Sequence, residues 1–146
     1  MYIISACLLG ENCKYSGGNN ENERVCEFAK NHSVFAVCPE VEGGLPVPRD
    51  PIEIVNGRAV NQKGEDHTEA FEKGRRLCFE KACAEASKRG ESIDGAILKA
   101  NSPTCGCGTI YDGTFSHVKT AGDGMFTRYL KKNDILVITE EDEIKW

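Results

Sequence analysis

The chain has 146 residues, 40% of them hydrophobic, a length that fits one compact domain spanning 1–146 with a core that needs no disulfide staples. A net charge of −5 and a pI near 5.3 argue against long nucleic acid as a partner, because phosphate binding is driven by clustered Lys and Arg. No apolar run approaches the roughly 20 residues that span a bilayer, and Met1 leads into Tyr2-Ile3-Ile4 without the regions of an export signal, so no membrane association and a cytoplasmic location are expected.

Tyr2 to Ala6 is a short apolar run ending at Cys7, and the turn formers Gly10, Gly17 and Gly18 follow it, so the segment reads as a strand feeding a loop. Asn20 or Asn22 is positioned to cap a helix running to about Lys30, with Val25, Cys26, Phe28 and Ala29 on its apolar side. Val34 to Val37 reads as a second buried strand, running into Cys38-Pro39-Glu40. From Val41 to Pro51, Gly43, Gly44, Pro46, Pro48 and Pro51 forbid a regular helix and predict an ordered loop. Two apolar pieces between Ile52 and Val60 flank Asn56-Gly57, a strong two-residue hairpin signal.

Asp66 and Glu69 have the spacing of a capping box at the start of a long amphipathic helix to about Lys88, with Ala70, Phe71, Leu77, Cys78, Cys83 and Ala86 as its apolar residues and Gly90 closing it. Ala96 to Leu98 reads as a third buried strand, followed by the loop from Lys99 to Gly108. Met125 to Lys132 reads as a helix and Ile135 to Ile138 as a fourth buried strand. Short apolar strands alternating with helices predict an α/β fold. Its sheet is mostly parallel, open and Rossmann-like, with helices on both faces and a small β-hairpin excursion.

Eight cysteines in a chain with a full apolar complement and no export signal are expected to stay free, so metal binding or catalysis is a better reading than a disulfide framework. Cys7, Cys38 and Cys105 each follow a predicted strand, where open parallel sheets bind their ligands. If those strands are neighbours, the three thiols gather at one edge as ligands or catalytic groups. Cys26, Cys78 and Cys83 fall inside predicted helices and read as small core residues. Cys13 and Cys107 are intermediate.

His32, His67 and His117 lack helical ligand spacing and read as surface residues. Thiolates favour zinc or an iron–sulfur cluster, and ligation by three leaves one metal with an open position. Glu40 stands two residues past Cys38, on the same side of an extended backbone, and is the acid/base candidate; on residue type alone it is equally an exposed carboxylate. Ser102, ahead of Pro103 and Cys105, reads first as a turn former, and Lys99 and Asp112 are similarly open. Tyr15-Ser16-Gly17-Gly18 and Gly122-Asp123-Gly124 lack the pattern of a nucleotide loop.

Four groups of residues together carry a resemblance. They are Ser5-Ala6-Cys7-Leu8-Leu9-Gly10 with Cys13-Lys14-Tyr15; Val37-Cys38-Pro39-Glu40-Val41 with Gly43-Gly44-Leu45-Pro46; Ile97 to Gly106; and Ile110 to Phe115 with Gly122-Asp123-Gly124. In this order the chain resembles, over nearly its whole length, a prokaryotic family whose characterised members are thiouracil desulfidases. The resemblance implies a 4Fe-4S cluster held by Cys7, Cys38 and Cys105, with one open iron for the sulfur of a thiolated uracil, and Glu40 and Ser102 as catalytic helpers. Cys13 lies in a matching motif and competes for a place among the ligands. Thr104 replaces the serine common before the last cysteine, and Cys107 adds a thiol.

The implied reaction is a non-redox, hydrolytic desulfuration of a small thiolated pyrimidine, releasing uracil and sulfide. Two other readings use the same thiols. A redox or structural cluster protein, or a zinc protein, calls for a fourth thiolate from Cys13 or Cys107; a thiol oxidoreductase calls for a reactive pair, for which Cys105-Gly106-Cys107 is the close candidate.

Overall fold

A computed structural model describes residues 1–146. In chain order it contains β1 (Tyr2–Ser5), a 3-10 turn (Ala6–Leu9), α1 (Glu23–Asn31), β2 (Val34–Val37), α2 (Pro39–Glu42), β3 (Ile52–Val55), β4 (Arg58–Asn61) and α3 (Thr68–Arg89). There follow β5 (Gly95–Leu98), β6 (Thr109–Tyr111), β7 (Lys119–Ala121), α4 (Met125–Lys132) and β8 (Val137–Thr139).

The central sheet has the order β2-β1-β5-β8, and every pairing in it is parallel. Alternation along each strand sends neighbouring side chains to opposite faces. Ile3, Ala96 and Leu98 pack with Cys78, Ala82 and Ala86 of α3 and Phe126 and Leu130 of α4, whereas Ile4 and Ile97 pack with Val25 and Phe28 of α1. Helices therefore cover both faces of an α/β sheet. The chain runs outward from β1 to β2 and then returns past it to β5 and β8, so the strand order reverses at β1 and β5. In open parallel sheets the crevice at such a reversal, beyond the carboxyl ends of the strands, is the ligand site.

Two antiparallel hairpins stand apart from this sheet. The first, β3–β4, turns on Asn56 and Gly57, whose φ values of 50° and 77° suit the tight turn their sequence favours. Its Ile52 and Ala59 pack on Phe71 and Met125. The second, β6–β7, was not foreseen, because three-residue strands flanked by Gly and Ser carry too little alternation to register.

Asn22 is the cap of α1, its side chain accepting from the Val25 amide at 3.1 Å. Gly90 closes α3 in the left-handed conformation at φ 69°. The capping box is not realised: α3 begins at Thr68, the Asp66 carboxylate accepts from the Thr68 amide at 2.8 Å, and Glu69 makes no reciprocal bond. β2 is an edge strand with Ala36 exposed rather than a buried one, and the last strand starts at Val137, leaving Leu136 60% exposed. The Gly- and Pro-rich loop is preceded by the one-turn helix α2, which Pro39 opens from the first helical position, where its missing N–H costs nothing. Cys83 points to solvent, because the buried stripe of α3 runs through Phe71, Gly74, Cys78, Ala82 and Ala86 and passes it by.

Candidate functional site

Each of the three strand-end cysteines is held by a different local device. Cys7 lies in the 3-10 turn that continues β1, and its carbonyl accepts the amides of Gly10 at 3.3 Å and Asn20 at 2.9 Å, which folds the loop from Gly10 to Asn20 back over the strand end. Cys38 is the residue before α2, in an extended conformation, and its thiol donates to the Cys13 carbonyl at 3.8 Å. Cys105 sits in the loop after β5. There the Ser102 hydroxyl oxygen accepts the amides of Thr104 at 3.1 Å and Cys105 at 3.0 Å.

The far side of that loop is the start of α4. Met125 and Phe126 donate their free helix-end amides to the carbonyls of Pro103 at 3.0 Å and Thr104 at 2.9 Å, and the Thr127 hydroxyl donates to the Cys105 carbonyl at 2.9 Å. Gly124 has no room for a side chain, since a Cβ there would stand 2.4 Å from the Thr104 backbone.

Cys7, Cys13, Cys38 and Cys105 all line one cavity of about 390 Å³ at the carboxyl ends of β1, β2 and β5, together with Glu40 and Ser102. Cys13 lines the cavity beside Cys7 and Cys38, and its carbonyl takes the Cys38 thiol. The neighbouring Cys13 thiol is the main reason the Cys7 thiol is lowered to about 7, with Asn20 and Lys99 acting in the same direction against burial. Cys38 is lowered in the same way, with help from the Val41 amide and Arg49, while Cys13, facing both, is raised. Burial raises Cys105 well above the ordinary thiol range; Ser5 offsets this in part, and Cys7, Cys38 and Glu40 add to it.

No three Cys, His, Asp or Glu side chains converge tightly enough to clasp a single metal ion. The donor set is instead four soft thiols spread around a cavity. That chemistry fits an iron–sulfur cluster, for which soft thiolates are the usual ligands.

Glu40 is fixed from both sides. One carboxylate oxygen accepts from Arg49 Nε at 3.0 Å and the other from the Thr104 hydroxyl at 2.8 Å, and the two side chains of the ion pair are only 15% and 6% exposed. Arg49 is anchored in turn by the Pro46 carbonyl at 3.2 Å and by its own amide on Tyr15. Lys99 reaches the cavity wall but pairs with Glu140, whose second oxygen takes the Ala100 amide at 2.7 Å. Asp112 stays outside the cavity as a turn acceptor for Thr114.

The other cysteines are elsewhere. Cys26 donates to the Leu8 carbonyl, Cys78 is buried under the sheet, Cys83 is exposed, and Cys107 donates to the Val137 carbonyl at 3.6 Å. The cavity also gathers residues that the sequence reading did not single out: Arg49, Glu53, Asn101, Tyr111 and, at the mouth, His117, which had read as a surface residue. Only Arg49 left a trace, as a lone cation within a rigid Pro-rich loop. Glu53 left none, because a Glu between two isoleucines in a hairpin normally faces water.

No helix is long and apolar enough to cross a membrane. The chain is 36% identical over 152 residues to the uncharacterized protein YbbK of Bacillus subtilis (strain 168), covering 97% of each chain. It superimposes on the solved structure of the 4Fe-4S-dependent thiouracil desulfidase TudS with a TM-score of 0.82 and 37% identity, over 96% of this chain and 90% of that one. The sequence model of the 2-thiouracil desulfurases matches residues 2–142, so the chain belongs to the 2-thiouracil desulfurase family.

Proposed function

We propose that this protein is a 4Fe-4S-dependent enzyme that removes sulfur from a thiolated uracil by non-redox hydrolysis: water adds its oxygen to the thiocarbonyl carbon, the carbon–sulfur bond breaks, and uracil and sulfide leave. The observation that carries this reading is the meeting of Cys7, Cys38 and Cys105, from loops after three adjacent parallel strands, in one cavity with Glu40. Cys7, Cys38 and Cys105 would hold the cluster, leaving one iron open. When bound, the cluster supplies a thiophilic Lewis acid for the thiocarbonyl sulfur.

The chain's own groups account for the rest. Glu40 takes the proton from the attacking water and returns it toward the departing sulfur, and Arg49 and Thr104 hold its two oxygens in position for both transfers. Ser102 uses its oxygen to accept two amides, which leaves its hydroxyl proton free to be donated into the cavity.

Anaerobic purification with iron and acid-labile sulfide analysis, followed by sulfide release from 2-thiouracil, tests the reading. Equal iron and sulfide, and release that is lost when Cys7, Cys38 or Cys105 is replaced by Ser, are expected. Protein that stays iron-free after anaerobic reconstitution overturns it.

A second reading is favoured by one observation, that Cys13 lines the same cavity as Cys7, Cys38 and Cys105. Four thiolates would close the cluster and give an electron carrier or a structural centre. Cys13→Ser separates the two: iron retained with activity supports the open site, and iron lost supports the closed one.

A further inference from the structure

Glu53 is a buried carboxylate, 8% exposed, that lines the cavity and takes no part in the chemistry above. One of its oxygens, Oε1, accepts the amides of Gly113 at 3.0 Å and Phe115 at 3.2 Å, so the side chain is clamped by the turn between β6 and β7. That turn is itself seated on β3, since a Cβ on Gly113 would stand 2.7 Å from the Ile54 carbonyl. The second oxygen, Oε2, meets no donor of the chain. The protein has no side-chain oxygen that is both sealed from solvent and unpartnered, so Oε2 is accessible.

Glu40, by contrast, has both oxygens engaged. Glu53 is thus the cavity's carboxylate with an open acceptor, and its position is set by backbone amides rather than by a mobile partner. Water meets this acceptor when no ligand is bound, and a ligand that displaces the water must bring a donor of its own, because leaving a carboxylate oxygen unmet is costly. Among the groups of a thiolated uracil the donors are the ring N–H groups, one of which adjoins the thiocarbonyl carbon whether sulfur is at ring position 2 or 4.

We propose that Glu53 Oε2 accepts the ring N–H beside the thiocarbonyl, which makes Glu53 the specificity residue for cyclic thioamides that carry a free N–H. This rests on the desulfidase reading for its substrate, but the contact is one of binding and is measurable without turnover. Glu53→Gln keeps a carbonyl for the two loop amides and turns an NH₂ toward the cavity, where it opposes a ring N–H and is indifferent to an N-methyl group.

Isothermal titration of the iron-loaded protein with uracil and with 1,3-dimethyluracil reads the contact, and kcat/KM for 2-thiouracil and its 1,3-dimethyl derivative repeats it under turnover. Native protein is expected to prefer the N–H compound by about 10- to 100-fold, the range for a hydrogen bond to a charged group. The preference should collapse in Glu53→Gln through weaker binding of the N–H compound alone. A preference that survives in the variant means that the methyl groups are excluded by shape, and equal losses for both compounds mean that Glu53 only braces the loop; either overturns the proposal. So does native protein that binds neither compound or fails to discriminate. If N–H-dependent binding holds but no sulfide is released, the desulfidase reading fails and this contact stands.

Discussion

Glu40 owes its place to two donors of different kinds, and their removal has different consequences. Glu40→Gln keeps the size of the side chain and removes the titratable group. Iron content should survive while turnover of 2-thiouracil falls by about 10²–10⁴-fold, the usual worth of general acid–base assistance. Thr104 tests the positioning separately. Its hydroxyl donates to Glu40 at 2.8 Å, and the hydroxyl is the one group the contact requires. Thr104→Ser should be close to native in activity, and Thr104→Val should lose roughly 10- to 100-fold, the range for a hydrogen bond to a charged group. Cys107→Ala removes only a weak thiol bond to the Val137 carbonyl and should leave the iron content unchanged. At this scale the sequence was most informative where chemistry and position coincide: a cysteine next to a strand end needs no tertiary knowledge to be suspected. Cys13 and Glu53 are different. Cys13 is brought to the cavity by a folded loop with no periodicity from which a direction can be read, and Glu53 lies on β3, where its place between two isoleucines points to a water-facing side chain.

The elements that carry these residues are held together by close backbone approach. α2 crosses α3 where two glycines meet it: a Cβ on Gly74 would stand 1.8 Å from the Pro39 carbonyl, and one on Gly43 would stand 2.0 Å from the Ala70 carbonyl. Because Pro39 lies between Cys38 and Glu40, this crossing sets the height of both above the sheet. Gly74 has an ordinary helical position, so Ala would suit the helix itself better by about 1 kcal/mol. The clash reverses that gain. Gly74→Ala should lower stability by about 1–3 kcal/mol, as overpacking does, and lower iron loading with it. Chemical denaturation and iron analysis on the same preparation check this, and a variant as stable and as iron-rich as native protein would show that α2 is not fixed by this contact. The strands of the central sheet are legible because each is a continuous apolar run, and α1, α3 and α4 because their apolar residues fall at helical spacing. α2, β6 and β7 are of similar length to those strands but carry no such run, and they are ordered by what they touch.

For the molecule as a whole, charge and cavity size decide what can enter. The net charge is −5, and of the Lys and Arg at the cavity Arg49 is paired with Glu40 and Lys99 with Glu140, which leaves Lys14, bonded to the neutral Asn20 at 3.4 Å, as the single uncompensated one. No free basic track leads to the thiols, and affinity for a polynucleotide depends on releasing counterions through several phosphate contacts. A cavity of about 390 Å³ admits a pyrimidine and little more beside a cluster. The free thiolated base should therefore be desulfurated with a higher kcat/KM than the same base within a thiolated RNA. For the base, the rate should change little between 50 and 200 mM salt, because no long-range attraction steers a neutral molecule. Side-by-side kinetics on 4-thiouracil and a 4-thiouridine-containing RNA decide the matter. A preference for the RNA that weakens steeply with salt would mean that a basic surface operates in the enzyme despite the pairing of Arg49 and Lys99.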